Sequence, residues 1–298
     1  MVKLIERNWL SFIWRHQINI WIQGARPRTL PAAIAPVVVA TVLAGNEWKP
    51  LPAVLALVVS LALQIAVNYS NDYSDGIRGT DDDRVGPTRL TASGLASATS
   101  VKRAAQLSFL IACLSGLALA ALSSWWILLI GVAAIFAAWG YTGGRNPYGY
   151  RGFGELSVFI FFGVVATVGT YYVQTLTITT AAIAASIPMG SLSCALLAIN
   201  NIRDIPGDQE VDKRTLAVKL GDKNARRFFV LLLVSAYIFP IFTGHILALL
   251  TLATAPQAFA IAREVLAGAS GKELIPLLGR TGQLQLHFGL TFALALSF

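Results

Sequence analysis

Long uninterrupted apolar segments constrain the fold of this chain more than any other feature. They run for roughly 17 to 25 residues, the length of helix that crosses the hydrocarbon core of a bilayer. Hydrophobic residues make up 55% of the 298 residues and charged residues only 13%, whereas a soluble domain carries about 25% charged residues. Backbone N–H and C=O groups in lipid must form hydrogen bonds with one another, which only helices and closed β-barrels allow. Apolar residues follow one another without a break in these segments, rather than alternating with polar residues as in barrel strands, so we expect helices. The sequence therefore predicts an all-α membrane protein.

Nine such segments divide the chain, and we predict a transmembrane helix for each. They are residues 29–45, 51–71, 104–122, 124–142, 156–175, 179–200, 228–244, 246–262 and 283–298. Cytoplasmic loops of membrane proteins are enriched in Lys and Arg, so the distribution of these residues among the predicted loops tests the division into spans. When the N-terminus is placed in the cytoplasm, only Lys49 of the 23 basic residues falls outside. We therefore expect a multi-pass protein of the cell (inner or plasma) membrane with a cytoplasmic N-terminus.

The N-terminal residues 1–24 mix Trp and Ile with basic side chains and contain no clean apolar core of a signal peptide. This composition is typical of a helix that lies in the membrane interface, in contact with lipid. The net charge of +8 would suggest nucleic acid in a soluble protein. Here the basic residues orient the chain in the membrane, so we expect no nucleic-acid partner.

Two acidic clusters each follow an apolar segment. The first contains Asp72, Asp75 and Asp81, and the second contains Asp204 and Asp208. The topology puts both on the cytoplasmic side, in segments 72–103 and 201–227, which are much longer than the outside loops. Long loops are usually functional, and the C-terminal end of a helix favours a bound cation. We expect these two segments to be cytoplasmic active-site loops.

Spacing singles out candidate metal ligands within each cluster. If the helix continues, Asn68, Asp72 and Asp75 lie on one face, and their oxygens suit Mg²⁺, which also binds water and substrate phosphates. Asn200, Asp204 and Asp208 recur every four residues, although we expect Pro206 and Gly207 to perturb the helix. Metal ions together with basic side chains hold and polarise a diphosphate, and the basic residues among these acids include Arg78, Arg84, Lys213 and Arg214. The alternative is a pair of solvated loops with chance acidic runs.

The acidic motifs resemble those of the UbiA superfamily of membrane prenyltransferases. The first reads Asn71-Asp72-Tyr-Ser-Asp75 followed by Asp81, and the second reads Asp204-Ile-Pro-Gly-Asp208. Within the superfamily the chain is most similar to the 1,4-dihydroxy-2-naphthoate prenyltransferases of menaquinone synthesis. The stretches that carry this similarity are 25–32, 79–89, 141–144, 147–150 and 213–218.

The resemblance implies one domain over residues 1–298, with about nine transmembrane helices around a central cavity that opens to the cytoplasm. It implies two Mg²⁺ ions that hold a polyprenyl diphosphate through Asp72, Asp75, Asp204 and Asp208. Diphosphate leaves, the ring of 1,4-dihydroxy-2-naphthoate attacks the prenyl group, and CO₂ is lost, which gives demethylmenaquinol. Arg145 is a further diphosphate candidate.

The remaining candidates each have a structural alternative. Arg26 and Arg28 either anchor the first span in the interface or bind substrate. Tyr73 and Tyr141 either belong to an aromatic belt or line the substrate site. Glu155, near Arg151, is predicted to form an ion pair or a helix-start charge rather than to act in catalysis. The other substrate-binding candidates are Asn71, Asp81, Asn200 and Asn201.

Other functions stay open at this stage. The same metal sites would serve a prenyltransferase for another aromatic acceptor, such as 4-hydroxybenzoate or a chlorophyll- or haem-type compound. A carrier would bind cations on carboxylates near the bilayer midplane, whereas these acids cluster at the membrane edge. A phosphatidyl-transferase would carry a spaced Asp signature that is not found around either cluster.

Overall fold

The computed structural model describes residues 19–80 and 85–298, and within these ranges the chain forms helices and turns without a β-strand. Residues 19–25 are helical. We number the later helices α1 (Pro31–Leu43), α2 (Pro50–Gly76), α3 (Ala98–Leu122), α4 (Ile127–Gly140), α5 (Gly154–Thr175), α6 (Thr180–Glu210), α7 (Leu216–Thr243), α8 (Ile246–Leu266) and α9 (Leu274–Leu296). Residues 1–18 of the predicted interfacial helix, and also Asp81 and Arg84, lie outside the described residues.

Six of these helices are long and apolar enough to cross a membrane: α2, α3, α5, α6, α7 and α8. Helices α1 and α4 are apolar but shorter, and α9 carries Arg280 and His287. Large apolar side chains point outward, as Leu129 (74% exposed), Phe136 (74%) and Phe259 (70%) illustrate. This surface belongs in lipid, which confirms a multi-pass all-α membrane protein. The count of nine spans stays a prediction.

Helix α2 extends beyond its apolar segment. Pro50 occupies its first turn, where the missing N–H costs nothing, and the helix then continues through Asp75 to Gly76. A methyl group on Gly76 would lie 2.5 Å from Cβ of Thr91. The glycine therefore lets the returning chain pack directly on the end of the helix.

Helix α6 lies at the centre of the protein, and most of its apolar part is buried. It packs most extensively against α7 and also contacts α1, α5 and α9. Pro206 and Gly207, which we expected to perturb the helix, do not end it, because α6 runs to Glu210. Asp204 and Asp208 therefore lie one turn apart on one helix. Much of the predicted loop 201–227 is the end of α6 and the start of α7.

Helices α1 to α6 enclose a cavity of about 400 Å³. Its wall includes Ala56 and Asn71, which are separated by about 22 Å along α2 at 1.5 Å per residue. Most lining side chains are apolar, among them Val59, Leu63, Leu119, Phe161, Phe162, Val165 and Val173. Polar lining groups include Asn68, Asn71, Tyr141 and Asn200, near the ends of α2 and α6. We call this end, which holds Asp75 and Asp208, the acidic end.

Candidate active site

Two carboxylates from distant parts of the chain meet at the acidic end. Asp75 at the end of α2 is 1% exposed, and Asp208 at the end of α6 is 7% exposed. The ammonium Nζ of Lys213 lies 3.7 Å from Oδ2 of Asp75 and 3.6 Å from Oδ1 of Asp208. Both carboxylates therefore face one small volume. The structure brings together one acid from each predicted cluster.

Tyr150 supports this pair from the turn before α5. Its hydroxyl donates a 2.8 Å hydrogen bond to Oδ1 of Asp75, and the Lys213 Nζ lies 4.9 Å from the centre of its ring. Burial and the negative charge of Asp75 raise the pKa of Tyr150 above its ordinary value. The phenol consequently stays protonated and acts as a donor to Asp75.

Arg78 joins the loop after α2 to the loop after α4. Its guanidinium donates to the backbone oxygens of Thr142 and Gly144 and lies 5.5 Å from the centre of the Tyr150 ring. The predicted diphosphate ligand Arg78 is therefore beside the carboxylate pair. Its hydrogen bonds to carbonyl oxygens also hold the two loops together.

Asn71 lies one turn before Asp75 and lines the cavity. Its Oδ1 accepts a 2.8 Å hydrogen bond from the buried hydroxyl of Thr142. The side chain is thus fixed between the carboxylate pair and the apolar cavity, as expected of a substrate-binding residue. This binding role stays a prediction.

Asp72 makes different contacts from Asp75. Its Oδ2 accepts from the backbone N–H of Leu90 at 2.8 Å, and its Oδ1 accepts from that of Thr91 at 2.9 Å. Both oxygens of this buried carboxylate therefore hold the loop that returns to α3. Metal binding by Asp72 stays a prediction, and it would compete with these hydrogen bonds.

Asn68, the other predicted ligand on this face, bonds to the N-terminal segment. Its Nδ2 donates to the backbone oxygen of Ala25 at 2.9 Å and to Oγ1 of Thr29 at 3.1 Å. Its Oδ1 accepts from Gln64 at 3.3 Å. The structure thus separates the partners of Asn68, Asp72 and Asp75, although all three lie on α2.

Asp204 is paired with its neighbour Arg203, whose guanidinium donates at 2.7 and 2.8 Å to the two carboxylate oxygens. The Arg203 side chain is fully buried. A methyl group on Gly86 would lie 3.3 Å from this guanidinium, so the returning first loop packs against it. The second acidic motif thereby contacts the loop of the first.

The other predicted basic and aromatic residues form no hydrogen bond or ion pair with the carboxylate pair in the described part of the chain. Arg145 is exposed, and Arg214 forms an exposed ion pair with Asp212 at 2.9 Å. Tyr73 lies between the Trp139 ring and the Lys102 ammonium group. Arg26 lines the cavity, and Arg28 is exposed beside α9, where its backbone oxygen approaches Gly282.

A second polar layer lies next to the carboxylate pair. Asn200 and Tyr141 line the cavity, and Asn201 donates a 2.8 Å hydrogen bond to Glu155. We predicted an ion pair or a helix-start charge for Glu155; the hydrogen bond from Asn201 on α6 was not predicted.

The donor set at the acidic end fits Mg²⁺. Carboxylates of Asp75 and Asp208 face one volume that a cation, the Lys213 ammonium group, already occupies at 3.6 to 3.7 Å. In residues 19–80 and 85–298, no three His, Cys, Asp or Glu side chains are close enough to form a metal site by themselves. This is the partial shell expected for Mg²⁺, which keeps waters and substrate phosphates as its other ligands.

Sequence reasoning missed Tyr150 and Thr142 as site residues. Both fall in stretches that carried the family resemblance, 141–144 and 147–150, but neither stretch contains an acid to suggest a role. Their contacts with Asp75 and Asn71 form only because the loop after α4 folds over the end of α2.

Comparison with known proteins agrees with this geometry. The model of the UbiA prenyltransferase family matches residues 33–275. The 1,4-dihydroxy-2-naphthoate octaprenyltransferase of Mycobacterium tuberculosis is 50% identical over 285 residues, which cover 93% of this chain and 97% of that protein. The corresponding enzyme of Escherichia coli is 39% identical and covers 93% of this chain and 94% of its own length.

A solved structure shares the fold at low sequence identity. A UbiA homologue from Archaeoglobus fulgidus, bound to GPP and Mg²⁺, has a TM-score of 0.63 at 14% identity and covers 93% of this chain and 99% of its own. The family model covers most of the chain, and the two relatives match along nearly their whole length. The chain belongs to the UbiA prenyltransferase family.

Proposed function

We propose that this protein transfers a polyprenyl group from polyprenyl diphosphate to 1,4-dihydroxy-2-naphthoate, with release of diphosphate and CO₂, and so forms demethylmenaquinol. One observation carries the proposal: Asp75 and Asp208 face a shared volume, one and two helical turns beyond Asn71 and Asn200, which line the polar end of a long apolar cavity. Such a site accommodates a diphosphate and its hydrocarbon tail together. The names of the relatives at 50% and 39% identity support the choice of acceptor.

The diphosphate would bind at the acidic end through two Mg²⁺ ions, held by Asp75 and Asp208 with further ligands from Asp72, Asn68 and Asp204. A UbiA homologue of the same fold bound to GPP and Mg²⁺ supports a diphosphate held by metal, while the ligands named here are our proposal. When bound, the ions supply positive charge that stabilises the leaving diphosphate. Asp72 joins the shell only if it gives up its hydrogen bonds to Leu90 and Thr91.

The basic residues of the site complete the diphosphate pocket. Lys213 already contacts both carboxylates, so a bound metal would release its ammonium group toward the phosphate oxygens. The Arg78 guanidinium lies 5.5 Å from the centre of the Tyr150 ring, whose hydroxyl bonds to Asp75. Cations placed where negative charge develops lower the barrier to departure of diphosphate. The further candidates are Arg84, Arg145 and Arg214.

The cavity provides for the rest of the donor. Its apolar wall, about 22 Å long where it follows α2, matches the hydrocarbon tail and excludes water from the reacting carbon. Tyr141 and Tyr148 pack edge to face at 5.6 Å, and both line the cavity. Their π-electrons stabilise a cation nearby, as the allylic carbon requires when the diphosphate leaves.

The orientation of the protein follows from its basic residues. With the acidic end in the cytoplasm and the N-terminus on the same side, all but one of the Lys and Arg residues are on the inside. We place the protein in the cell membrane, with nine spans in one domain and the cavity open to the cytoplasm. Water-soluble acceptor and diphosphate would then enter from the cytoplasm and the tail from lipid.

The test is prenyl transfer by the purified full-length protein in liposomes, with mass spectrometry of the product. Geranyl to octaprenyl diphosphates are supplied with 1,4-dihydroxy-2-naphthoate or 4-hydroxybenzoate, with Mg²⁺ or with a chelator. We expect a decarboxylated prenyl naphthalenediol only with Mg²⁺ and the naphthoate. Turnover of 4-hydroxybenzoate alone would contradict the acceptor and favour the other aromatic prenyltransferase.

A further inference from the structure

Glu155 is a buried carboxylate that the diphosphate end of the site does not use. Its side chain lies at the start of α5 and is 6% exposed. Oε1 accepts from Nδ2 of Asn201, whereas Oε2 is buried and has no hydrogen-bond partner in the described part of the chain. A buried acceptor of this kind is costly unless something bonds to it. Oε2 therefore has the capacity to accept a hydrogen bond from a ligand.

The hydrogen bond to Glu155 fixes the orientation of the Asn201 side-chain amide. An ionised carboxylate only accepts hydrogen bonds, so Asn201 must turn its NH₂ group toward Glu155. The amide oxygen of Asn201 then points away from Glu155. Leu197, one turn before Asn201 on the same face of α6, lines the cavity, so the Glu155–Asn201 pair lies just beyond the cavity wall. The pair thus offers two oxygen acceptors, one carboxylate and one amide.

Tyr141 connects this pair to the cavity. A methyl group on Gly154 would lie 3.2 Å from the Tyr141 hydroxyl, and a methyl group on Gly149 would lie 2.6 Å from the backbone oxygen of Tyr141. Two glycines therefore allow Tyr141 to pack against the start of α5, next to Glu155, while its ring lines the cavity. The Tyr141 hydroxyl adds a hydrogen-bond donor to the two acceptors.

The charge of the subsite selects the group that binds. A carboxylate repels another carboxylate but accepts strongly from a hydroxyl group. In an aromatic acid with two hydroxyls, the hydroxyl next to the acid group bonds internally, and the hydroxyl on the opposite ring carbon is left to find a partner. We propose that Glu155, with Asn201 and Tyr141, binds that free hydroxyl and so orients the aromatic acceptor. The inference rests on the proposed function and names the acceptor subsite within it.

The test compares two ligands on two proteins. Equilibrium binding of 1,4-dihydroxy-2-naphthoate and of 1-hydroxy-2-naphthoate, which lacks the free hydroxyl, is measured on the full-length protein and on Glu155→Gln. In the original protein the missing hydroxyl should weaken binding about tenfold or more, as for other hydrogen bonds to charged groups. In Glu155→Gln the two ligands should bind within about twofold, because the partner of the hydroxyl has changed.

Controls separate this subsite from a structural role. Glu264→Gln makes the same chemical change in a partly exposed ion pair with Arg280, and it should keep the original discrimination. The KM for prenyl diphosphate should not change in Glu155→Gln. If that variant does not fold, Tyr141→Phe takes its place and should also reduce the discrimination.

Two outcomes would overturn the inference, and they differ from failure of the proposed function. Undiminished discrimination in the variant, or an equal loss for both acceptor ligands and prenyl diphosphate, would make Glu155 structural only. If the original protein neither binds nor prenylates the naphthoate, the proposed function itself fails. If the original protein prenylates the naphthoate but Glu155→Gln still discriminates between the two naphthoate ligands, only the assignment of the acceptor subsite is wrong.

Discussion

Asp75 and Asp208 are 133 positions apart in the sequence, yet both carboxylates lie within 3.7 Å of the same Lys213 ammonium group. Their helices end at the same level because α2 and α6 both continue beyond their apolar segments. Two buried carboxylates that approach the same ammonium group this closely would repel each other without a cation between them. Lys213 supplies that cation, and a metal with diphosphate would replace it.

Asp75→Asn should abolish most activity by removing a charge from the metal site. We expect prenyl transfer to fall about a hundredfold or more, the usual loss when a transition-state electrostatic group is removed, and the Mg²⁺ concentration for half-maximal rate to rise. The assay is initial rate against Mg²⁺. An unchanged Mg²⁺ requirement would exclude Asp75 as a ligand.

Asp72→Asn should act through the loop instead. An Asn side chain has one acceptor oxygen, so only one of the backbone N–H groups of Leu90 and Thr91 keeps its partner. We expect unfolding to become easier by about 1 to 3 kcal/mol, measured by thermal or denaturant unfolding in detergent. A normal unfolding curve together with an Asp75-like Mg²⁺ defect would show instead that Asp72 binds metal directly.

Lys213→Gln should make the protein more dependent on Mg²⁺ for stability. Without the ammonium group, the carboxylates of Asp75 and Asp208 repel, and each kcal/mol lost lowers Tm by about 2–4 °C. Mg²⁺ should then raise Tm more in this variant than in the original protein. The matched change Arg280→Gln, in an exposed ion pair with Glu264, should leave the Mg²⁺ response unaltered. An equal response in all three proteins would contradict the account.

The sequence was sufficient to predict a multi-pass all-α membrane protein and its family, because span length, charge and motif spacing are local properties. It was not sufficient to predict that Asp72 and Asp75 have different partners. Helical spacing puts them on neighbouring positions of one face, but the partners of Asp72 come from residues 90 and 91, which meet α2 only because Gly76 allows close packing. Likewise, Pro206 and Gly207 did not reveal that α6, buried among its neighbours, continues through them to Glu210.

Tyr150→Phe should weaken the site in a pH-dependent way. The folded pKa of Tyr150 is raised above its ordinary value of 10.0, so the stability contributed by its protonated form is complete below pH 10 and is lost as pH rises through the folded pKa. We expect a constant Tm difference between the two proteins from pH 6 to 9 and a decreasing one above pH 10. A difference that grows with pH would contradict the donor role of Tyr150 toward Asp75.

Gly169→Phe should shorten the donors that the protein uses. Gly169 lines the cavity, and a Cβ there meets no atom within 4 Å, so a larger side chain projects into open space. The site is about 22 Å along α5 from Gly154, far from the acids. We expect the rate with octaprenyl diphosphate to fall about tenfold or more while that with geranyl diphosphate is retained, since overpacking costs about 1–3 kcal/mol. The lipid-facing Leu129→Phe is the control; equal losses with both donors would place the tail elsewhere.

The most direct test of the central claim is Mg²⁺-dependent binding of an unreactive prenyl thiolodiphosphate to the original protein, Asp75→Asn, Asp208→Asn and the double variant. If both acids hold one metal–diphosphate complex, Mg²⁺ should tighten binding about a hundredfold in the original protein and little in either single variant. The double variant should then bind no more weakly than the singles, because residues that act as a unit are not additive. Tight binding without Mg²⁺, or a Mg²⁺ effect that survives in either single variant, would contradict the account.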